Sequence, residues 1–549
     1  MKKPALVLLS LAVLGVSLAL LAPQLRRTFG TQSHALAGNE NVTNGGPSVM
    51  QLQRKSLAHF GENSAEGPSS PAPVITASAR GAPRPTLATE PASSGNTHAH
   101  QKPNPFTYTS EDRLSTFAVD VDTASYSLFR RHVSTGGMPP RDSIRIEEWV
   151  NAFRYRYPEP TEGDFRVDLE GAPSPFTRGR HLLKVGLQGR HIRQDQRKPT
   201  HLVFLVDTSG SMNGPDRLGL AQRSMKLMLE GLNPTDTVAL VTYAGGVRDV
   251  LPPTPASQKD VISSAIDALT AGGGTAMGSG LELAYRHAAR KAAPGVVSRI
   301  IVLSDGDANI GNTTPQALFA SIQGYVQEGV TLSTIGFGMG NYRDDVMEQL
   351  ANKGNGNSYY IDSEREARRV FQERLAGTLE VIAQDVKVQV EFNPQAVRGY
   401  RLLGYENRAI ADRDFRDDKV DAGEIGAGHT VTALYEVELT GEGSTVATVR
   451  VRAKRPGGVE AAEQRFPFAR EQLHRMLADA SANLRFATAV AGTADILRGA
   501  PQASDWSLAI AEALAEEAVE GQSDRAEFLG LLRLVRERRT PSMAGGIPD

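Results

Sequence analysis

The sequence contains no cysteine. That one absence removes disulfides, cysteine-ligated zinc, iron–sulfur clusters and thiol catalysis together, while leaving the compartment open. An excess of either charge is also missing: 60 Lys+Arg face 62 Asp+Glu, a formal net charge of -2. No general field therefore favours nucleic acid or acidic surfaces. Histidine is sparse at 11 residues, so a His-rich metal centre would need unusual clustering. No internal repeat is visible, and only one long apolar run occurs. What is present is ordinary globular usage, 40% hydrophobic and 22% charged, which excludes collagen-like, wholly disordered and multi-span membrane classes. The 549 residues leave room for two to four domains at about 100–200 residues each.

The apolar run lies at the start. Lys2 and Lys3 precede an uncharged stretch from Ala5 to Ala22, and Pro23, Arg26 and Arg27 follow it. This pattern over residues 1–27 reads as a secretory signal or an N-terminal membrane anchor. Pro23 makes the position before it a poor cleavage site, which favours an uncleaved anchor. The expected location is therefore outside the cytoplasmic membrane, periplasmic or on its outer face, with the membrane touched only through this segment. Residues 28–104 are rich in Pro, Ser, Ala, Gly, Asn and Thr, and lack apolar periodicity. Such a stretch cannot bury enough surface to offset chain entropy, so it reads as a tether. His98 and His100 sit inside it and carry no strong metal signal.

Four further regions follow from pattern. Residues 105–199 carry short alternating strands and two helices. Residues 200–379 differ: unbroken apolar runs such as His201–Val206 and Arg299–Leu303 alternate with helical periodicity. Strands buried on both faces and separated by helices imply a doubly wound, mostly parallel α/β sheet. Residues 380–469 return to alternation and read as antiparallel strands, candidates for pairing with the strands before Thr200. Residues 470–549 read as helical from Arg470 to Arg538, and Glu364–Leu379 reads as one continuous helix. The expected fold class is α/β, inserted in or flanked by a β-rich domain and followed by a C-terminal helical region.

In such a sheet, ligands sit at the carboxyl ends of the strands. Asp207-Thr208-Ser209-Gly210-Ser211 directly follows the strand ending at Val206, and Ser304-Asp305-Gly306-Asp307 follows the one ending at Leu303. Between two helices lies Gly272-Gly273-Gly274-Thr275. Alternation lets Asp207, Ser209 and Ser211 offer one carboxylate and two hydroxyls to a common point. Thr275 can add a third hydroxyl and Asp305 a second carboxylate. An all-oxygen set suits a hard divalent cation, Mg²⁺ or else Mn²⁺ or Ca²⁺. If Asp305 acts through a water, an open position is left for an anionic oxygen from a partner.

These five residues carry a family resemblance. The region from about Thr200 to Leu379 resembles the von Willebrand factor type A (VWA) domain. The metal-ion-dependent adhesion site (MIDAS) of that family has the form Asp-x-Ser-x-Ser, a Thr in a distant loop and an Asp after a later strand. The segment Thr116–Tyr126, the Met138-Pro139-Pro140 turn, Glu147–Phe153 and Arg525-Ala526-Glu527-Phe528 are similar to the flanks of a bacterial group of exported type A domain proteins. The resemblance implies cation-dependent recognition of a protein ligand that offers an Asp or Glu carboxylate. It implies neither an enzyme nor a nucleic-acid partner.

Other readings stay open. Asp120-Val121-Asp122 after an apolar strand could serve a metal-dependent hydrolase or phosphatase, although its spacing to Thr123 departs from the phosphatase pattern. The local alternative is that Asp122 and Thr123 cap the next helix. A structural envelope assembly factor, with the metal serving only the fold, is a third class. Gly272–Gly274 lacks the Gly-Lys-Ser/Thr of a phosphate loop, and Ser209 has no nearby His to activate it as a nucleophile. Phe153, Tyr155 and Tyr157 read as helix-end packing rather than base-stacking positions.

Overall fold

The computed structural model describes residues 102–119, 122–274, 277–306, 315–338 and 344–539. The N-terminal apolar run, the tether with His98 and His100, Asp120, Thr275 and Asp307 lie outside these residues. Among the described residues, no helix is long and apolar enough to cross a membrane.

The chain opens with β1 (Thr107–Tyr108), β2 (Leu114–Ala118), α1 (Ala124–Ser134), α2 (Ile146–Asn151), β3 (Phe165–Pro173) and β4 (Arg180–Gly189). The α/β region then runs β5 (Thr200–Asp207), α3 (Leu218–Glu230), β6 (Thr237–Tyr243), β7 (Val247–Pro255), α4 (Lys259–Asp267) and α5 (Met277–Ala289). It continues through β8 (Val297–Ser304), α6 (Pro315–Gln327), β9 (Val330–Gly336), α7 (Asp344–Lys353), β10 (Ser358–Tyr360), α8 (Glu364–Arg368) and α9 (Leu375–Leu379). Six strands follow: β11 (Val381–Phe392), β12 (Val397–Leu403), β13 (Gly423–Gly426), β14 (Thr430–Leu439), β15 (Thr445–Lys454) and β16 (Ala461–Ala469). Helices α10 (Ala482–Arg498), α11 (Leu508–Glu517) and α12 (Ser523–Arg539) close the described chain.

The α/β sheet has the order β10-β9-β8-β5-β6-β7. Its pairings are parallel except for β7, which runs antiparallel to β6. Strand β5 is buried at every position. Its Leu202, Phe204 and Val206 face one helical layer with α3, while Val203 and Leu205 face the other with α5. That two-sided burial is why the strand reads as an unbroken apolar run. The sequence pattern misses β7 because Pro252, Pro253 and Pro255 fall within it. Proline is tolerated there because β7 is an edge strand.

The remaining strands form two antiparallel sheets, and both contain strands from before and after the α/β region. One has the order β1-β12-β14-β4-β3. In the other, β11 lies between β2 and β15, with β16 beyond and β13 on the early part of β11. Their inner faces share one core, including Val185 and Leu187 of β4, Val388 and Val390 of β11, Val431 of β14 and Val449 of β15. The α/β region is thus an insertion in a two-sheet β domain.

A helical layer encloses that domain from the outer ends of the chain. Rings of α1, α2, α10 and α12 meet: Phe129 and Trp149 centroids lie 4.1 Å apart, Phe153 and Phe486 4.8 Å, and Phe153 and Phe528 5.7 Å. Tyr155 and Tyr157 are buried and stacked at 5.6 Å, which places them in packing. Arg401 of β12 is fully buried against Asp495 of α10 at 2.8 Å and Glu436 of β14 at 3.6 Å. Arg130 of α1 forms a bidentate pair with Asp362 and bonds Glu366 at 2.8 Å, joining the helical layer to the α/β region.

Three expectations are corrected. The stretch from Arg470 holds only two short 3-10 turns, Arg470–Gln472 and Leu477–Asp479, before the α-helix begins at Ala482: Leu473 bridges to Gly171 of β3 between them. The segment 364–379 is broken, with a π-helical turn at Arg369–Glu373 between α8 and α9. Thr123 is the N-cap of α1 but makes no side-chain cap bond. Asp122 instead accepts from Ser358 N at 2.8 Å and Arg408 at 2.9 Å, tying β10 to the β domain.

Removing one member of a buried ion pair leaves an uncompensated charge at a cost of about 3–5 kcal/mol. Asp495→Ala should lower stability by about that amount in urea unfolding, whereas Asp195→Ala, on the exposed surface, should leave the midpoint in place. For Glu366, burial raises the carboxyl pKa, but Arg369 and Arg130 together outweigh it and hold it at about 2 against 4.5. Its stabilising contribution is therefore complete above pH 4.5 and is lost as pH falls toward about 2. Glu366→Gln should destabilise the protein at neutral pH by on the order of 3 kcal/mol. The difference between wild type and variant should shrink through that acid window.

Candidate metal centre

Strands β5 and β8 are neighbours and parallel, so their carboxyl ends place Asp207 and Asp305 at one edge of the sheet. The backbone turns sharply after Asp207. Ser209 N donates to Asp207 Oδ1 at 2.8 Å, and the Ser304 hydroxyl donates to Asp207 Oδ2 at 3.0 Å. Both carboxylate oxygens are thereby oriented. The turn carries Ser209 and Ser211 to the same side, with hydroxyl oxygens 2.9 Å apart. Ser211 Oγ donates in turn to Asp305 Oδ1 at 3.3 Å. Four of the five expected residues are brought together: Asp207, Ser209, Ser211 and Asp305.

Thr275 lies outside the described residues. The loop just before it is held against the first one: Gly210 N donates to Gly273 O at 3.1 Å, and Gly272 N donates to Thr208 O at 2.8 Å. Gly273 adopts φ +92, and a Cβ there would lie 3.2 Å from Gly245 N. Glycine fits this position because the conformation is left-handed and the approach is close.

Asp207, Ser209 and Asp305 are buried. Burial first, and the neighbouring Asp305 charge in addition, push the Asp207 carboxyl above its ordinary range, against hydrogen bonds from Ser209 and Ser304. A divalent cation would reverse that imbalance. The donor set fits such an ion in kind, being wholly oxygen. Among the described residues, no three His, Asp or Glu side chains converge on a metal position, so hydroxyls would have to complete the shell.

Two contributors are absent from the sequence-level set. Ser304 accepts from Gly306 N at 3.1 Å while donating to Asp207, so it locks the two strand ends together. Arg217 donates to the Ser211 carbonyl and lies 3.8 Å from Asp305 Oδ2. A cation at the N-cap of α3 opposes the helix dipole, and that local conflict was the available signal for a role at the site.

Family comparison agrees along the whole folded part. The model described as von Willebrand factor type A domain matches residues 201–373. That described as von Willebrand factor matches residues 92–184. The model for the C-terminal region of uncharacterized protein YfbK matches residues 377–446 and 440–537. Uncharacterized protein YfbK of Escherichia coli (strain K12) is 37% identical over 461 residues, 78% of this chain and 79% of its own. The chain belongs to the YfbK family of VWA domain proteins. Among solved structures, a von Willebrand factor type A protein from Catenulispora acidiphila is 20% identical, spanning 69% of this chain and 91% of its own with a TM-score of 0.41. Proximal thread matrix protein 1 from the mussel byssus, solved with a zinc-occupied MIDAS motif, is 26% identical over 32% of this chain and 45% of its own, with a TM-score of 0.27. The YfbK-family flanks correspond to the helical layer and β domain around the VWA insertion.

If the centre takes a cation as described, Asp207→Ala should abolish Mg²⁺ and Mn²⁺ heats in isothermal titration. Ser304→Ala, which removes only the group orienting Asp207, should weaken affinity about 10- to 100-fold.

Proposed function

We propose that this protein is a divalent-cation-dependent protein-recognition module displayed outside the cytoplasmic membrane. VWA domains generally mediate protein binding, and the reading here is narrower. Mg²⁺, or a similar hard cation, is held by Asp207, Ser209, Ser211, Thr275 and Asp305. A partner protein supplies an Asp or Glu carboxylate to the remaining coordination position. The observation that supports this is the chain of contacts in which Ser211 Oγ lies within hydrogen-bond distance of both Ser209 Oγ and Asp305 Oδ1 at the sheet edge. Arg217 adds a positive group near Asp305, of the kind suited to an incoming carboxylate. The ion works here by bridging and orienting, and no bond of the partner need be activated. The N-terminal apolar run and the following tether would hold the folded part away from the membrane.

The alternative reading is a hydrolase using the Asp120/Asp122 pair or the same ion, and of that pair only Asp122 lies within the described residues. Its carboxylate is spent on Ser358 N and Arg408, a tie between parts of the fold.

The test is capture from envelope extracts by the purified folded part, with Mg²⁺ or with EDTA, using wild type and Asp207→Ala. The expected result is a partner retained only by wild type with Mg²⁺, and released by soluble glutamate-rich peptide. Equal retention in EDTA, or by Asp207→Ala, would sink the cation-bridged reading.

A further inference from the structure

A second polar cavity lies away from the strand-end loops, where the π-helical turn meets the β domain. Its volume is about 170 Å³, and its lining includes Arg154, Tyr359, Glu373, Arg374, Gly377 and His429. Sequence-distant segments build it: the end of α2 and the residues after it, the end of β4, β10, the broken helix 364–379, and the turn between β13 and β14. Arg374 caps the C-terminal end of the π-helical turn. Such insertions into helices occur frequently at functional sites because they re-aim the side chains that follow.

The charges in this cavity do not balance. Arg374 gives one Nη donor to the Ala152 carbonyl at 3.1 Å. Among the described residues it makes no carboxylate ion pair within 4 Å, unlike the Arg130 and Arg401 guanidiniums, and feels the Glu366 carboxylate only from farther off. Glu373, the one acid of the lining, is paired with Arg154 at 3.4 Å, and both are about half exposed at the mouth. Burial first, then the like charges of Arg369 and Arg154, lower the Arg374 pKa to about 10. His429 sits beside it with its Nδ1 buried and without a hydrogen-bond partner. Burial, and then Arg374, Arg299 and Arg154, hold its imidazole neutral with a pKa of about 3. The chain makes room for this ring at Gly377, where a Cβ would stand 2.4 Å from His429 Cδ2 and Nε2. A half-buried guanidinium with a single hydrogen-bond acceptor, lining the same space as an imidazole, leaves donors for something in the cavity to complete.

We propose that this cavity is an oxyanion site, in which Arg374 and His429 bind a phosphate-class group from the inner wall and Arg154 closes over it at the mouth. The planar donor fork of Arg374 suits an anion with several acceptor oxygens. The opening at Arg154 and Glu373 leaves space for an organic substituent on that group. The site is independent of the cation centre, sharing none of its residues.

The probes are inorganic phosphate and glycerol 3-phosphate, titrated calorimetrically into the folded protein in a phosphate-free buffer, against sodium chloride at matched ionic strength. Saturable binding of one equivalent is expected, together with a rise in melting temperature that chloride does not give. Arg374→Met should weaken binding about tenfold or more, and His429→Phe should also reduce it. Arg154→Gln, at a half-exposed position where folding is not at stake, should lower affinity severalfold. Asp207→Ala should bind phosphate as wild type does. Binding of inorganic phosphate alone would assign the site to the free ion. Comparable binding of glycerol 3-phosphate would assign it to the phosphate group of a larger molecule. No saturable heat with either probe would overturn the proposal, as would wild-type affinity in Arg154→Gln and Arg374→Met.

Discussion

The pairing of β2 with β11 is the constraint on which the architecture turns. Phe117 stands opposite Val388 and Ser115 opposite Val390, although the whole α/β region lies between them in sequence. The same is true of β4 and β14, where Leu183 opposes Tyr435 and Val185 opposes Ala433. Closing so long a loop costs entropy once. Two independent strand pairings share that cost, one in each antiparallel sheet, and both feed a common apolar core. The VWA region can therefore be large without loosening the domain that carries it.

Polar groups then fix how the insertion sits. Asp122 reaches from the segment before α1 to both β10 and Arg408, Arg130 grips Asp362 and Glu366, and Arg145 bonds Glu348 of α7 at 2.6 Å. Each of these acids or bases is largely buried. Such pairs add little net stability over apolar packing, but a mismatched arrangement would leave charges buried and unpaired. Their effect is to select one docking of the VWA region on the helical layer.

Much of this was legible in the residues. The parallel strands stand out because two-sided burial demands continuous Val, Ile and Leu. The strand-end cluster stands out because Asp and Ser alternate directly after an apolar strand and a second Asp follows its neighbour strand. What escaped detection has particular causes. Edge strands β7 and β16 interrupt their apolar residues with proline and charge. The π-helical turn keeps helical composition, so composition alone does not show where the helix is interrupted. Leu473 reads as part of a helix because its neighbours are helix formers, yet its partner is a strand far upstream. Ser304 and Arg217 act by orienting other groups, and one-dimensional spacing does not record that.

The placement of the insertion has a mechanical consequence. The chain enters the VWA region from β4 and leaves it into β11, with only Glu380 between α9 and β11. Both strands are interior, each flanked by neighbours on two sides. Any pull on the VWA region therefore reaches strands whose bonds on both flanks share the load. An edge strand would instead peel away one bond at a time.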